Sequence, residues 1–188
     1  MNGPVNGTIA ALLAGVLMLM GCGPGGDIAG KGDAPDPLEA RARITAMEDS
    51  LFNSSGFDAR SAQALLDVYK RYALTFQRDT LVPEYLFRAA SVCRTMGDPE
   101  QSIVLYDRIM VDYSGWDKLP DVLYLKAFVM DTDLGRKGEA KRAYQKVINV
   151  FPEHPFAHDA RMMIQNLDLT DEELVRRFQE QEQAAATP

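Results

Sequence analysis

Three segments of the chain align without gaps: YKRYALTF from Tyr69 to Phe76, YDRIMVDY from Tyr106 to Tyr113, and YQKVINVF from Tyr144 to Phe151. Each begins with tyrosine and ends with an aromatic residue. Their apolar residues recur three and four positions apart, as they do on one face of a helix. A proline follows each segment, at Pro83, Pro120 and Pro155, and these features repeat about every 35 to 38 residues. The chain therefore contains a repeated helical unit.

The three prolines mark the starts of new helices, because the first-turn N–H that proline lacks has no helical partner anyway. Beyond Pro37 no run of alternating β-branched residues is long enough for a sheet. We therefore predict an all-α fold. It is a short helical solenoid of about three helix-turn-helix units, each of which buries its apolar face against its neighbours.

The units resemble tetratricopeptide repeats, which have a Gly-Asp turn between two helices, then a small residue, a large aromatic residue and a closing proline. A strict count in the third unit places Phe128, rather than Ala127, at the small position of the first helix. The first unit, from Leu38 to Gln77, lacks the Gly-Asp turn. The residues that carry the resemblance are Ala89, Ala90, Gly97, Ser102, Tyr106, Ala127, Gly135, Ala140, Tyr144 and Pro152.

The last helix begins with Thr170 and Glu173, the spacing of a capping box in which each side chain accepts a hydrogen bond from the other residue's backbone N–H. Leu174, Val175 and Phe178 form its narrow apolar face. We predict that this helix caps the repeat domain, which spans residues 38–181, and that residues 182–188 form a disordered tail.

The N-terminal segment from Val5 to Met20 is largely apolar and uncharged, too short for a membrane span of about 20 residues but typical of a signal peptide. The end of this segment and the two residues after it, Leu19, Met20, Gly21 and Cys22, resemble the lipobox of bacterial lipoproteins. The resemblance implies cleavage before Cys22 and lipid attachment to it. Gly rather than Asp at position 23 implies the outer membrane, and we expect its periplasmic face. We therefore predict a signal peptide at 1–21 and a flexible Gly/Pro linker at 22–37.

The net charge of −7 and the pI near 4.9 argue against binding to nucleic acid, which needs a basic surface. We expect membrane contact through the lipid on Cys22, and we expect Cys93 to be buried. No spacing of residues indicates a catalytic cluster or a cofactor site, so we do not expect an enzyme. His154 and His158 are the candidate metal ligands, but we assign them to a turn and the surface.

Helical repeats bind proteins, because the first helices of successive units line a groove that accepts a peptide or a partner's helix. Trp116, in the turn from Ser114 to Lys118, either anchors a partner or staples two units together, and we favour the staple. The alternative interpretation of the candidate groove residues named next is that they form a helix face that contacts only solvent. The predicted facing of the helices places six residues in the groove: Glu84, Arg88, Ser91, Lys126, Val129 and Asp133.

The predicted architecture resembles the repeat lipoprotein of the outer-membrane β-barrel assembly machine and the Tol-Pal-associated periplasmic repeat factor. This resemblance implies a scaffold for protein–protein interactions in cell-envelope or outer-membrane assembly. Two alternatives stay open. One is a lipid-anchored regulator of a cell-wall enzyme, and the other is a purely structural protein of the envelope.

Overall fold

The computed structural model describes residues 35–53, 56 and 58–186, with the backbone alone at Asp171, Ala185 and Ala186. This part of the chain is all-α. The predicted signal peptide, Cys22 and most of the predicted linker lie outside the described residues. None of the described helices combines the length and the hydropathy that a membrane crossing requires.

Eight α-helices and one π-helical turn follow one another in the described residues. The π-helical turn, Val129–Asp133, continues directly from α5. The α-helices are α1 (Pro37–Phe52), α2 (Ala59–Thr75), α3 (Val82–Thr95), α4 (Pro99–Asp112), α5 (Leu119–Phe128), α6 (Lys137–Val150), α7 (Pro155–Asn166) and α8 (Asp171–Ala186).

The helices begin where capping side chains or prolines permit. Asp36, Asp58 and Asp98 each accept a hydrogen bond from a first-turn N–H, of α1, α2 and α4 respectively. Helices α3 and α5 start without a capping side chain and carry Pro83 and Pro120 in the first turn. Helix α7 begins at Pro155 itself. The three prolines therefore stand where the sequence predicted.

Two glycines form the turns between the helices of the second and third units. Gly97 has a φ of 80° and Gly135 a φ of 63°, a left-handed conformation that costs other residues energy because of their Cβ. At the first turn, the N–H of Asp98 donates to the carbonyl of Cys93 at 2.9 Å. This bond satisfies a carbonyl at the end of α3, so the chain can reverse at once into α4.

Each helix packs against the next one along the chain from α1 to α7, and α5 also contacts α7. Large tyrosines and small residues alternate in the core between them. Tyr69, Tyr106 and Tyr144 are buried, and so are the small residues Ala62, Ala89, Ala90, Ser102, Ala127 and Ala140. The small side chains let neighbouring helices approach closely. The all-α helical solenoid predicted from the repeats is confirmed.

The C-terminal part of the chain differs in detail from the prediction. The capping box is present: the N–H of Thr170 donates to Glu173 at 2.8 Å, and the N–H of Glu173 donates to the Thr170 hydroxyl at 3.3 Å. Helix α8 continues through Ala186, so the end predicted at residue 181 lies inside it. Val175 and Phe178 are about half exposed on α8.

Candidate functional site

A groove with a volume of about 780 Å³ lies between α1 and α3. We call it the α1–α3 groove. The α3 residues that line this groove are spaced three or four positions apart, so their side chains lie on one face of the helix. That face is about 17 Å long at 1.5 Å per residue. The groove is lined on α3 by Glu84, Phe87, Arg88, Ser91, Val92 and Thr95, and on α1 by Glu48, Asp49, Leu51 and Phe52.

A ladder of alternating charges crosses the groove. Arg88 on α3 donates to Glu48 on α1 at 2.8 Å and to Glu84 on its own helix at 2.8 Å. Lys118, just before α5, also donates to Glu84 at 2.8 Å. The Tyr69 hydroxyl donates to Glu48 from the groove floor. Three successive repeat units are therefore joined through their first helices by side-chain contacts.

The contacts of this ladder favour the charged forms of Glu84 and Arg88. Partial burial alone would raise the pKa of Glu84, but the hydrogen bonds from Lys118 and Arg88 lower it. For Arg88, partial burial would lower the pKa, and the contacts with Glu48 and Glu84 raise it above its usual value. Burial and the bond to Glu48 raise the pKa of Tyr69, so its hydroxyl remains a donor.

Apolar side chains occupy the remaining surface of the groove. Leu51 and Val92 are buried, whereas Phe52 is 65% exposed at the groove rim. Phe87 contacts the Trp116 ring edge-on, with ring centroids 5.7 Å apart, and the Lys118 ammonium lies 5.6 Å from the Trp116 ring. Trp116 is partly buried in these contacts. It joins the turn after α4 to α3, which is the staple that we favoured from the sequence.

Four of the six predicted groove residues lie on or beside this surface. Glu84, Arg88 and Ser91 line the groove itself. Asp133 pairs with Arg94, whose terminal nitrogen lies 3.1 Å from the carboxylate, across the adjacent gap between α3 and the π-helical turn. The contact with Arg94 lowers the pKa of Asp133.

The other two predicted groove residues lie elsewhere. Val129 is 1% exposed and belongs to the core. Lys126 forms an ion pair with Asp107 on α4, the second helix of the preceding unit. Both residues were placed in the groove from the predicted facing of α5, which corresponds to a register 38 residues forward of α3, from Arg88 to Lys126 and from Ser91 to Val129. That register is wrong within α5.

The π-helical turn explains this error. Pro83 and Gly97 are separated by 14 positions, whereas Pro120 and Gly135 are separated by 15. A π-helical turn accommodates one extra residue within a helix, and it lies here at Val129–Asp133. Before it, the equivalent positions are therefore 37 residues apart, so that Ser91 corresponds to Phe128. In agreement, the Arg94 guanidinium of α3 lies 4.8 Å from the Phe128 ring.

The same register assigns the small position of α5 to Ala127, which is fully buried, while Phe128 is partly exposed. Pro152 lies exposed in the turn after α6. The prediction missed Glu48, Phe87 and Lys118 among the residues that form the groove and its ladder. No sequence pattern pointed to Glu48, because the first unit lacks the Gly-Asp turn that aligns the other units with each other.

The described residues contain no group of three or more side chains that could hold a metal ion. His154 caps α7, where its Nδ1 accepts a hydrogen bond from the Phe156 N–H at 3.3 Å, and its Nε2 lies 4.0 Å from Asp121. His158 is exposed on α7. Cys93 is buried on α3, and burial raises the pKa of its thiol.

Comparison with known proteins found no family model and no curated protein that matches this chain.

Proposed function

We propose that this chain is a lipoprotein of the periplasmic face of the outer membrane, and that its helical repeats form a scaffold for a partner protein in cell-envelope assembly. One observation carries the proposal: the α1–α3 groove is open, is lined in part by apolar side chains, and is crossed by a ladder whose charges at Glu48, Glu84 and Arg88 are already paired. Such a surface can bury apolar side chains of a partner without leaving a charge of the ladder unpaired.

The ladder supports a scaffold because it joins first helices of successive units. Arg88 holds α1 to α3 through Glu48, and Lys118 holds the start of α5 to α3 through Glu84. Ion pairs that are partly exposed to solvent, as these are, contribute little stability singly, at most about 1 kcal/mol each. Their effect here is to orient the walls of the groove, which lowers the entropy that a bound partner would cost.

The membrane anchor rests on the sequence at Cys22. Two or three acyl chains hold a protein stably on a membrane, whereas one chain binds only marginally. The Cys22→Ser variant should appear in the soluble fraction or remain unprocessed. Retention of a mature, processed form on the membrane would contradict the anchor.

The groove can be tested separately by filling it. Ser91 is exposed on the groove side of α3, so Ser91→Trp should block the groove while the fold is retained. Gln145→Trp is the matched control, because Gln145 is also exposed but lies on α6 outside the groove lining.

The assay is affinity capture of the intact protein from membranes, followed by mass spectrometry. We expect a component of barrel assembly, Tol-Pal or cell-wall synthesis to be recovered with the wild type and with Gln145→Trp, and to be lost with Ser91→Trp. Recovery of a cell-wall hydrolase would favour a regulator of that enzyme. Recovery of none of these components would contradict a role in envelope assembly.

A further inference from the structure

One charge in the α1–α3 groove is not part of the ladder. Glu48, Glu84 and Arg88 all form ion pairs. Asp49 also lines the groove, next to the ladder residue Glu48, and it is exposed. Within residues 35–53, 56 and 58–186, no salt bridge reaches its carboxylate. The groove therefore presents an available negative charge, while its positive charge at Arg88 is already neutralised.

The apolar surface of the groove lies close to this carboxylate. Phe52 is one helical turn beyond Asp49 on α1, and Phe87 lines the groove from α3. Positions three residues apart are neighbours on a helix surface, so Asp49 and Phe52 lie side by side. An exposed aromatic side chain beside a charge is a typical anchor point for a partner with matching chemistry.

The hydroxyl groups of the groove indicate the backbone form of the partner. The Ser91 hydroxyl donates to the Phe87 carbonyl at 3.3 Å, and the Thr95 hydroxyl donates to the Ser91 carbonyl at 3.1 Å. Both hydroxyl protons are thus used within α3. An extended peptide needs hydrogen-bond donors for its backbone carbonyls, and these two hydroxyls do not offer them. A helix forms its own backbone hydrogen bonds, so it does not need such donors.

From these observations we propose that the α1–α3 groove binds a cationic amphipathic helix of a partner protein. A lysine or arginine of that helix pairs with Asp49, and its apolar residues contact Phe52 and Phe87. The groove face of about 17 Å corresponds to about 11 helical residues. This inference rests on the proposed function, since it names the chemistry of the partner held in the same groove.

A second copy of this chain fits the groove less well. The chain carries a net charge of −7, so two copies repel each other over long range. A cationic partner is attracted by the same field, and Asp49 then determines where its charge is placed. The occupant is therefore a different protein with a basic, amphipathic segment.

The test uses a 14-residue amphipathic helical peptide with leucines on one face, lysines on the other, and one benzoylphenylalanine among the leucines. A second peptide carries glutamate in place of every lysine. Each is photo-crosslinked to the full chain in a zwitterionic detergent over a range of peptide concentrations. The crosslinked residues are mapped by mass spectrometry. The variants are Asp49→Lys and Glu182→Lys, which change the net charge equally, because Glu182 is exposed on α8 outside the groove.

We expect the lysine peptide to crosslink within the groove lining and to bind more tightly than the glutamate peptide. Asp49→Lys should raise the half-saturating concentration of the lysine peptide about 10-fold, and Glu182→Lys less than about 2-fold, because only the first change removes a local pair. Equal effects of the two variants would overturn the proposal. So would equal binding of the two peptides, or a dimer of the wild type that Ser91→Trp abolishes.

Failure of this inference can be distinguished from failure of the proposed function. If Ser91→Trp blocks crosslinking but Asp49→Lys has no effect, the groove binds a partner and the inferred charge is wrong. If Ser91→Trp and Gln145→Trp leave crosslinking equally strong, the groove itself is not the binding site, and both proposals fail.

Discussion

Equivalent tyrosines in two repeat units should respond differently to the same substitution. Tyr69 and Tyr144 occupy the same repeat position, and both are 0% exposed. The Tyr69 hydroxyl donates to the Glu48 carboxylate. Among the residues that the structure describes, the buried Tyr144 hydroxyl forms no hydrogen bond of ordinary length, but it interacts with the nearby Asp131 carboxylate. Burial raises the pKa of Tyr144, and the nearby Asp131 carboxylate raises it further.

The size of each effect follows from these contacts. A hydrogen bond to a charged group contributes roughly 1.5–3 kcal/mol, and Glu48 keeps its bond from Arg88 when the tyrosine is replaced. Tyr69→Phe should therefore lower the free energy of unfolding by about 1–2 kcal/mol. Tyr144→Phe removes a buried hydroxyl that forms no ordinary hydrogen bond, so the lost interaction with Asp131 is offset by the lower cost of burying an apolar ring, and that energy should change by less than about 1 kcal/mol.

Urea unfolding followed by circular dichroism measures both variants against the wild type. We expect the two midpoints to move apart, with that of Tyr69→Phe below the wild type. A domain of this length changes its melting temperature by about 2–4 °C for each kcal/mol, which is measurable. If both variants lost the same stability, the difference between the two hydroxyl environments would be refuted.

Three further predictions test the turns, the second gap and the core. Gly97→Ala should cost about 1 kcal/mol of unfolding free energy because of its positive φ, whereas Gly138→Ala, within α6, should be neutral or stabilising, as thermal melts would show. Because Arg94 lowers the pKa of Asp133 in the folded chain, this carboxylate contributes stability above about pH 4 that is lost as the pH falls through its folded pKa. Asp133→Asn should therefore lower the free energy of unfolding by less than about 1 kcal/mol. In urea titrations this difference from the wild type should shrink between about pH 5 and pH 3. The buried Cys93 thiol should react with a disulfide reagent only after unfolding, and rapid labelling of the native chain would contradict its burial.

The helix starts and the all-α class could be predicted from the sequence because they depend on local chemistry. Pro83, Pro120 and Pro155 mark helix starts through the missing N–H, and Thr170 and Glu173 mark one through a reciprocal pair of hydrogen bonds. Such signals act over one helical turn, so the rest of the fold does not need to be known.

The prediction of the groove residues depended on the register between α3 and α5, which a single extra residue changes. One residue rotates a helix by about 100°, which moved Val129 into the core and turned Lys126 toward Asp107 on α4. The signal was present in the spacing, since Pro120 and Gly135 are one position further apart than Pro83 and Gly97. Glu48 could not have been found in this way, because its contact with Arg88 depends on how α1 and α3 lie across the groove.

Site-specific photo-crosslinking in living cells tests the scaffold most directly. Benzoylphenylalanine is placed at Phe52 on the groove rim or at Val111 on α4, which are 65% and 77% exposed. Both are apolar and both tolerate a bulky side chain, but only Phe52 lines the groove. We expect a crosslinked partner protein from position 52 that disappears when Ser91→Trp is added, and none from position 111. Crosslinks from position 111 alone, or crosslinks from position 52 that Ser91→Trp leaves unchanged, would contradict this expectation.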